Sequence, residues 1–279
     1  MTIFIIAALT LQEASRRRVL RSLAVMTALL LGLSAWGFSR IDATFGGMTS
    51  GEARMTAAAV LNLVMFGLSL ISALGTAFLA GPTLAGEIES GVALAVLTRP
   101  VRRSAVLIGK WLGLVTFGSG FVAVAGLTQL LIVRITVGYW PPEPVTGLAL
   151  LAGQAVVLLT LGLLLSTVIS PMASGIVSVG LFGATWIAGV VGAVGEALNN
   201  PSLTQVGTVS RMLLPTDGLW RGAMHAFQDP TLLTQFSEAF EGHPFLSRTG
   251  LTVAYVAWSG VWVTVVLGLA AAAFQRRDV

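Results

Sequence analysis

The chain has 279 residues, 55% of them hydrophobic and only 10% charged, with a mean hydropathy of +0.88 and a net charge of +4. Apolar runs of about 20 residues recur, the length that crosses a hydrocarbon core at about 1.5 Å per residue; this excludes an ordinary soluble domain. There is no cysteine, which removes disulfides and thiolate metal sites, and the basic residues stand beside apolar runs, as topology signals do and a nucleic-acid patch does not.

Met1 to Val19 is short and amphipathic, with Phe4, Ile5, Ile6 and Leu9 ahead of Glu13 and Arg16 to Arg18. It reads as a helix at the membrane surface leading into the first span, or as a simple extension of that span. No cleavage-site pattern follows the arginines. Leu20 to Phe38 is predicted as span one, Arg40 to Arg54 as a polar loop and Met55 to Ala80 as span two.

The stretch Pro82 to Lys110 then interrupts the apolar pattern. Glu87, Glu89, Arg99, Arg102, Arg103 and Lys110 gather there, and Gly91 and Pro100 divide it into short pieces. Leu84, Ile88, Val92, Leu94, Leu97 and Val101 interleave with the charges, as in helices that offer a partner both apolar and charged contacts. Charges of both signs fix a partner's register, so 82–104 reads as a docking segment rather than a solvated loop.

Ala105 to Val133 is span three. Tyr139 and Trp140 stand where interfacial aromatics belong, beside the turn-forming Pro141, Pro142 and Pro144. Span four covers Gly147 to Ile169, Ser170-Pro171-Met172 turns the chain, and span five covers Ala173 to Val194. Residues 195–248 form an amphipathic region of short helices resting on or re-entering the membrane. Thr249 to Phe274 is span six. The whole is an all-α integral membrane domain, 1–279, of six spans. Ten of the 16 basic residues fall on the side of both termini and the docking segment, which the positive-inside rule makes cytoplasmic.

The spans hold Asn62, Gln129 and Gln154 but no Asp, Glu or His at depth. A proton- or sodium-coupled carrier keeps such a group near the midplane, and a membrane enzyme gathers several at one depth. The energy source is therefore expected outside this chain. Gly180, Ala184, Ala188 and Gly192 recur every four residues on span five, with Gly162, Ser166 and Ser170 similarly spaced on span four. Such stripes admit close helix approach, within one subunit or between two. His225 with Asp229, and Glu241 near His243, have metal-ligand spacing, but two histidines without cysteine fit surface and capping roles better.

Glu-Ile-Glu-Ser-Gly at 87–91, Leu-Thr-Arg-Pro-Val-Arg-Arg at 97–103 and Gly109-Lys110 together resemble the signature between spans two and three of type 2 ABC transporter permeases. The close Phe274-Gln275-Arg276-Arg277-Asp278 and the element Leu214-Pro215-Thr216-Asp217-Gly218-Leu219-Trp220 are similar to that family's, in its NosY-like branch linked to multicopper-enzyme maturation. The resemblance implies a non-catalytic half-transporter in a prokaryotic cell membrane. It would pair with a second permease copy and dock two cytoplasmic ATPases that bind ATP and Mg, through Glu87, Glu89, Gly91, Arg99, Arg102 and Arg103. It implies no cofactor in this chain and no nucleic-acid partner. Lys110 is followed by Trp111, so no phosphate-cradling G-x-x-x-x-G-K-[ST] loop is present. Export is the leading expectation. The alternatives are a permease that transmits force to an extracytoplasmic accessory protein, and an ion-coupled carrier or channel. A pathway without buried charge suits apolar or amphipathic cargo, whereas the branch points to small sulfur- or copper-related species.

Overall fold

The computed structural model describes residues 2–17, 19–45, 51–86, 102–229, 231, 245–247 and 250–276. Among them all regular structure is helical: α1 (Thr2–Arg16), α2 (Val19–Phe45), α3 (Gly51–Gly81) running into a π-helical turn (Pro82–Gly86), α4 (Arg103–Val137), α5 (Pro144–Ser166), α6 (Pro171–Ala197), α7 (Pro201–Leu213), α8 (Thr216–Ala226) and α9 (Val253–Arg276). Six of these, α2 to α6 and α9, are long and apolar enough to cross a membrane.

Local chemistry places the boundaries. Helices α5, α6 and α7 each open on proline, whose missing N–H costs nothing where no intrahelical acceptor exists. Gly138 ends α4 at φ 69°, returning its N–H to the Arg134 carbonyl. The Asn200 side chain accepts from the Ser202 and Leu203 amides and caps α7.

One boundary corrects the sequence reading. Arg40 to Arg54 was expected to be a polar loop, but α2 continues to Phe45 and α3 begins at Gly51. The Arg40 guanidinium lies 5.6 Å from the centre of the Trp36 ring. That contact gives the charge a place on the helix's own surface, so the arginine need not end it.

Helices α3 and α5 are the most enclosed of the six, and α2 and α9 the least. Phe38, Leu61, Met65, Leu68, Leu130 and Trp220 fill one core, against which Phe66 stacks on Trp186 at 4.8 Å. In lipid the helices gain from close packing and internal hydrogen bonds rather than from leaving water. Buried polar pairs contribute accordingly: Gln129 Nε2 donates to Ser34 Oγ at 2.6 Å, and Ser69 Oγ to Gln154 Oε1 at 2.7 Å.

Among the described residues of the expected amphipathic region, 195–248, stand two different helices, α7 and α8. Helix α8 is buried along most of its length and packs against α5 and α6. Gln154 Nε2 donates to the Thr216 carbonyl at 3.3 Å, and at the other end Tyr139 Oη donates to the Phe227 carbonyl at 2.7 Å. Burial pushes the Tyr139 hydroxyl pKa up, with the Asp229 charge adding to it and Arg54 opposing it, so the donor keeps its proton. Helix α7 packs along the last turns of α6, where Gly192 and Gly195 admit it, and is otherwise mostly exposed. Its last carbonyls, on Arg211, Met212 and Leu213, accept from Tyr255 Oη, Trp258 Nε1 and Trp262 Nε1 along one face of α9.

Asp217 joins the two. Its Oδ2 accepts from Arg211 Nε at 3.1 Å and Arg221 Nε at 2.9 Å, and Arg221 Nη2 reaches the Gly189 carbonyl on α6 at 2.6 Å. A Cβ at Gly189 would fall 2.2 Å from Asp217 Oδ2, so glycine is required for the carboxylate to sit against α6. Removing one partner of a buried, hydrogen-bonded ion group costs about 3–5 kcal/mol. Asp217→Ala should therefore lower the thermal unfolding midpoint in detergent markedly; a midpoint equal to wild type would show that the cluster does not hold α8 in place.

Candidate functional site

The stretch between α3 and α4 is where the sequence concentrates its charge, and its two described ends fall on one junction. Helix α3 leaves regular α geometry at Pro82, whose ring removes a donor from the ladder, and continues as the π turn. Thr83 Oγ1 donates back to the Leu79 carbonyl, and the Thr83 carbonyl accepts from Lys110 Nζ at 2.8 Å. Lys110, the chain's sole lysine, is only 6% exposed. It thus ties the end of span two to the second turn of α4.

Three close approaches complete the junction. Gly81 faces the α5–α6 turn so tightly that a Cβ would lie 2.4 Å from the Pro171 carbonyl oxygen. Gly109 and Gly113 of α4 receive α1: added Cβ atoms there would lie 2.9 Å from the Ile3 carbonyl oxygen and 2.6 Å from that of Ala7. Ala14, Leu79, Ala80, Leu114 and Leu159 then form one buried cluster from α1, α3, α4 and α5. Beside it Leu107, Leu163, Ala270 and Phe274 link α4, α5 and α9, and Trp111 Nε1 donates to Thr160 Oγ1 at 2.9 Å. A push on the 87–101 stretch would therefore reach α1, α3, α4 and the α5–α6 turn together.

Of the residues singled out for docking, Glu87, Glu89, Gly91 and Arg99 lie outside the described residues. Arg102 is exposed at the N-cap of α4, with φ −63° and ψ 129°. Arg103, half-buried, directs Nη1 to the Phe274 carbonyl at 3.5 Å, which joins the start of α4 to the end of α9. The span-five stripe divides. Gly192 meets Gly207 of α7, with 2.8 Å between an added Cβ and the Gly207 Cα; Ala188 is half-buried; Ala184 and Gly180 are exposed, and nothing lies within 4 Å of a Cβ at Gly180. His225 Nδ1 lies 3.2 Å from the Ser247 carbonyl, and Asp229 Oδ1 accepts from the Thr231 amide and hydroxyl. His243 and Glu241 lie outside the described residues.

Sequence reading passed over the Gly109-x-x-x-Gly113 pair, a signal that was present in the spacing. It also passed over the union of Asp217 with two arginines, since Arg211 gives no spacing cue from α7. An apolar groove of about 670 Å³ runs between α5, α6, α7 and α9, with Leu181, Ala184, Ala188, Val209 and Trp262 among its walls.

A family profile described as "ABC-2 family transporter protein" matches residues 7–279. The chain belongs to that family. As an ABC-2 permease it is similar to the "Probable ABC transporter permease protein NosY" of Pseudomonas aeruginosa, 33% identical over 145 residues. That match covers 49% of this chain and 50% of the relative, so the chain spans about half the length of the curated relative it matches. Six apolar helices make this permease integral to the membrane.

The Gly109 and Gly113 contacts predict a specific lesion. Gly113→Leu must drive α1 away from α4, because the nearest obstructing atom is the Ala7 carbonyl oxygen, which cannot rotate aside. Trypsin should then cleave at Arg16 and Arg17 faster than in the unaltered permease; an unchanged cleavage rate would show that α1 does not depend on this seat.

Proposed function

We propose that this chain is the membrane-spanning subunit of an ABC exporter, paired with a second permease copy and driven by two separate cytoplasmic ATPases. The ATPases bind ATP and Mg, and this chain carries neither. The observation that supports the reading best is the convergence of both ends of the 87–101 stretch on one junction of α1, α3, α4 and the α5–α6 turn. Glu87, Glu89, Gly91, Arg99, Arg102 and Arg103 carry docking, and Arg103 also links the start of α4 to the end of α9. ATPase closure pushes this segment, and the junction passes the displacement to the spans. The arginine-rich end of the bundle, with both termini, faces the cytoplasm. Cargo is apolar or amphipathic, in keeping with a bundle whose buried Asp217 is paired with Arg211 and Arg221, whose buried Lys110 is bound to the Thr83 carbonyl, and whose grooves are walled by apolar side chains.

A second reading is favoured by α7, which packs on α6, is tied to α9 through three carbonyls, and exposes Val206, Val209 and Leu213. In that reading the ATPase cycle works an extracytoplasmic accessory protein through α7 without passing cargo.

Gentle-detergent purification of the tagged permease with mass spectrometry of its companions tests the proposal. A soluble ATPase in equal amount is expected; a permease recovered alone at every salt concentration contradicts it, and ATPase turnover indifferent to candidate cargoes, with an external protein bound, selects the second reading. Charge reversal at Glu87 and Glu89, or Arg102→Glu, should cut recovered ATPase several-fold while membrane insertion stays normal. Normal association in those variants would remove the docking assignment.

A further inference from the structure

An apolar groove of about 610 Å³ lies between α2 and α4, floored by Leu11 of α1. Leu20, Ala24, Thr27, Ala28 and Leu31 form one wall along a single face of α2, and residues from Thr116 to Thr128 form the other. Its volume is within the range of about 300–1,000 Å³ typical of small-molecule sites. Nothing lies within 4 Å of a Cβ added at Gly120, so the floor beside that glycine is open space.

The groove has three threonines, and two are spoken for. Thr116 Oγ1 donates to the Leu112 carbonyl and Thr128 Oγ1 to the Val124 carbonyl, each at 2.8 Å, the usual helical arrangement for a threonine in apolar surroundings. Thr27 is different. Its side chain is 8% exposed, and its hydroxyl has no partner among the described residues. A hydroxyl kept out of water without a partner costs about 1–3 kcal/mol, which an acceptor entering the groove would relieve. At the arginine-rich end of this groove, Arg21 follows Leu20 in sequence and is exposed, and Arg17 precedes α2, half-buried and paired with Glu13; neither lines the groove itself, so both would have to reach a headgroup at its mouth. Thr27 stands six residues beyond Arg21, about 9 Å along the helix axis. That is close to the depth of about 5–8 Å over which a bilayer changes from headgroup to hydrocarbon.

The geometry points to a binding site for one phospholipid with an anionic headgroup. The phosphate meets Arg21 and Arg17, an ester carbonyl accepts from Thr27 Oγ1, and one acyl chain fills the groove toward Leu31 and Thr128. Cation above, donor at intermediate depth and apolar channel below follow the order of groups in such a lipid. A second protein copy would need none of this ordering, and a zwitterionic lipid would gain little from the arginines.

Native mass spectrometry of the full permease, delipidated and then titrated with phosphatidylglycerol or phosphatidylcholine, tests the site. The first phosphatidylglycerol should bind more tightly than phosphatidylcholine, and Arg21→Gln should erase about fivefold of that preference, since one arginine near an anionic surface contributes about 1 kcal/mol. Gly120→Leu fills open space in the groove without touching backbone and should remove the tight phosphatidylglycerol site; Gly268→Leu, on α9 and equally open, should leave it intact. Thr27→Val, nearly isosteric, should weaken both lipids alike. Equal binding of the two lipids to the unaltered permease, or an unchanged tight site in Gly120→Leu, overturns the proposal. Loss of the permease dimer in Gly120→Leu would also overturn it, assigning the groove to a contact between copies. None of these readings requires an ATPase to be present, so the lipid site fails or stands apart from the docking assignment.

Discussion

Backbone that departs from the α-helical ladder inside an apolar environment must find other partners for its polar groups, and this requirement shapes the end of span two. At Pro82 the helix loosens into a π turn, and the Thr83 carbonyl is met by Lys110 Nζ from α4. A lysine with so little exposure is costly to keep there unless hydrogen-bonded. The same contact therefore stabilises the turn and fixes the distance between α3 and α4 where the charged stretch leaves and rejoins the bundle. Glycines do the rest. At Gly81, Gly109 and Gly113 a neighbouring backbone carbonyl comes close enough that a Cβ would lie within 3 Å of it, beside short or β-branched side chains that have little room to give.

The opposite end of the bundle solves the same problem with side chains. Asp217 draws Arg211 and Arg221 into one cluster, Arg221 spends a further donor on the Gly189 carbonyl, and three aromatic donors of α9 satisfy the last carbonyls of α7. Helix α8 is thereby pinned among spans four and five, while α7 lies along span five and exposes apolar side chains. Under the proposed docking, the bundle is held at that end and pushed at the other, and the expected response is a tilt of the central helices. Their apolar faces can slide past one another at modest cost, whereas the polar clusters at either end cannot separate without stranding buried groups.

Much of this architecture was legible in the sequence because hydrocarbon thickness imposes a length on every span. The six apolar runs and the Pro171 turn followed from that rule; that the helix Thr216–Ala226 would be buried against spans four and five did not. Arg40 was misjudged as a loop residue because an arginine can fold back on Trp36 and prolong its helix, and hydropathy does not register that contact. The span-five stripe was half informative. Its spacing is real, yet the buried face runs through Ser178, Phe182, Thr185 and Gly189, and leaves Gly180 and Ala184 exposed. Strict four-residue spacing drifts around a helix of 3.6 residues per turn, so a long stripe cannot stay on one face. Asp217 was hidden for another reason: its partners come from two helices, and only folding reveals that one carboxylate serves both. Of the candidate docking residues, Arg102 and Arg103 can be placed, and Glu87, Glu89, Gly91 and Arg99 lie outside the described residues.

The central claim is that α1 and α4 move as one piece when the docking segment is pushed. The chain has no native cysteine, so labels can be introduced in pairs without background. Pulsed electron paramagnetic resonance on the assembled transporter would measure one distance from Gln12 on α1 to Thr116 on α4, and a second from Gln12 to Gly268 on α9. Both would be compared in the nucleotide-free state and in an ATP-bound state trapped by a hydrolysis-deficient ATPase. The account predicts an α1–α4 distance distribution that superimposes in the two states while the α1–α9 distribution shifts. A change in the α1–α4 distance with α1–α9 unaltered would contradict it, and would mean that α1 moves independently of the span on which it is seated.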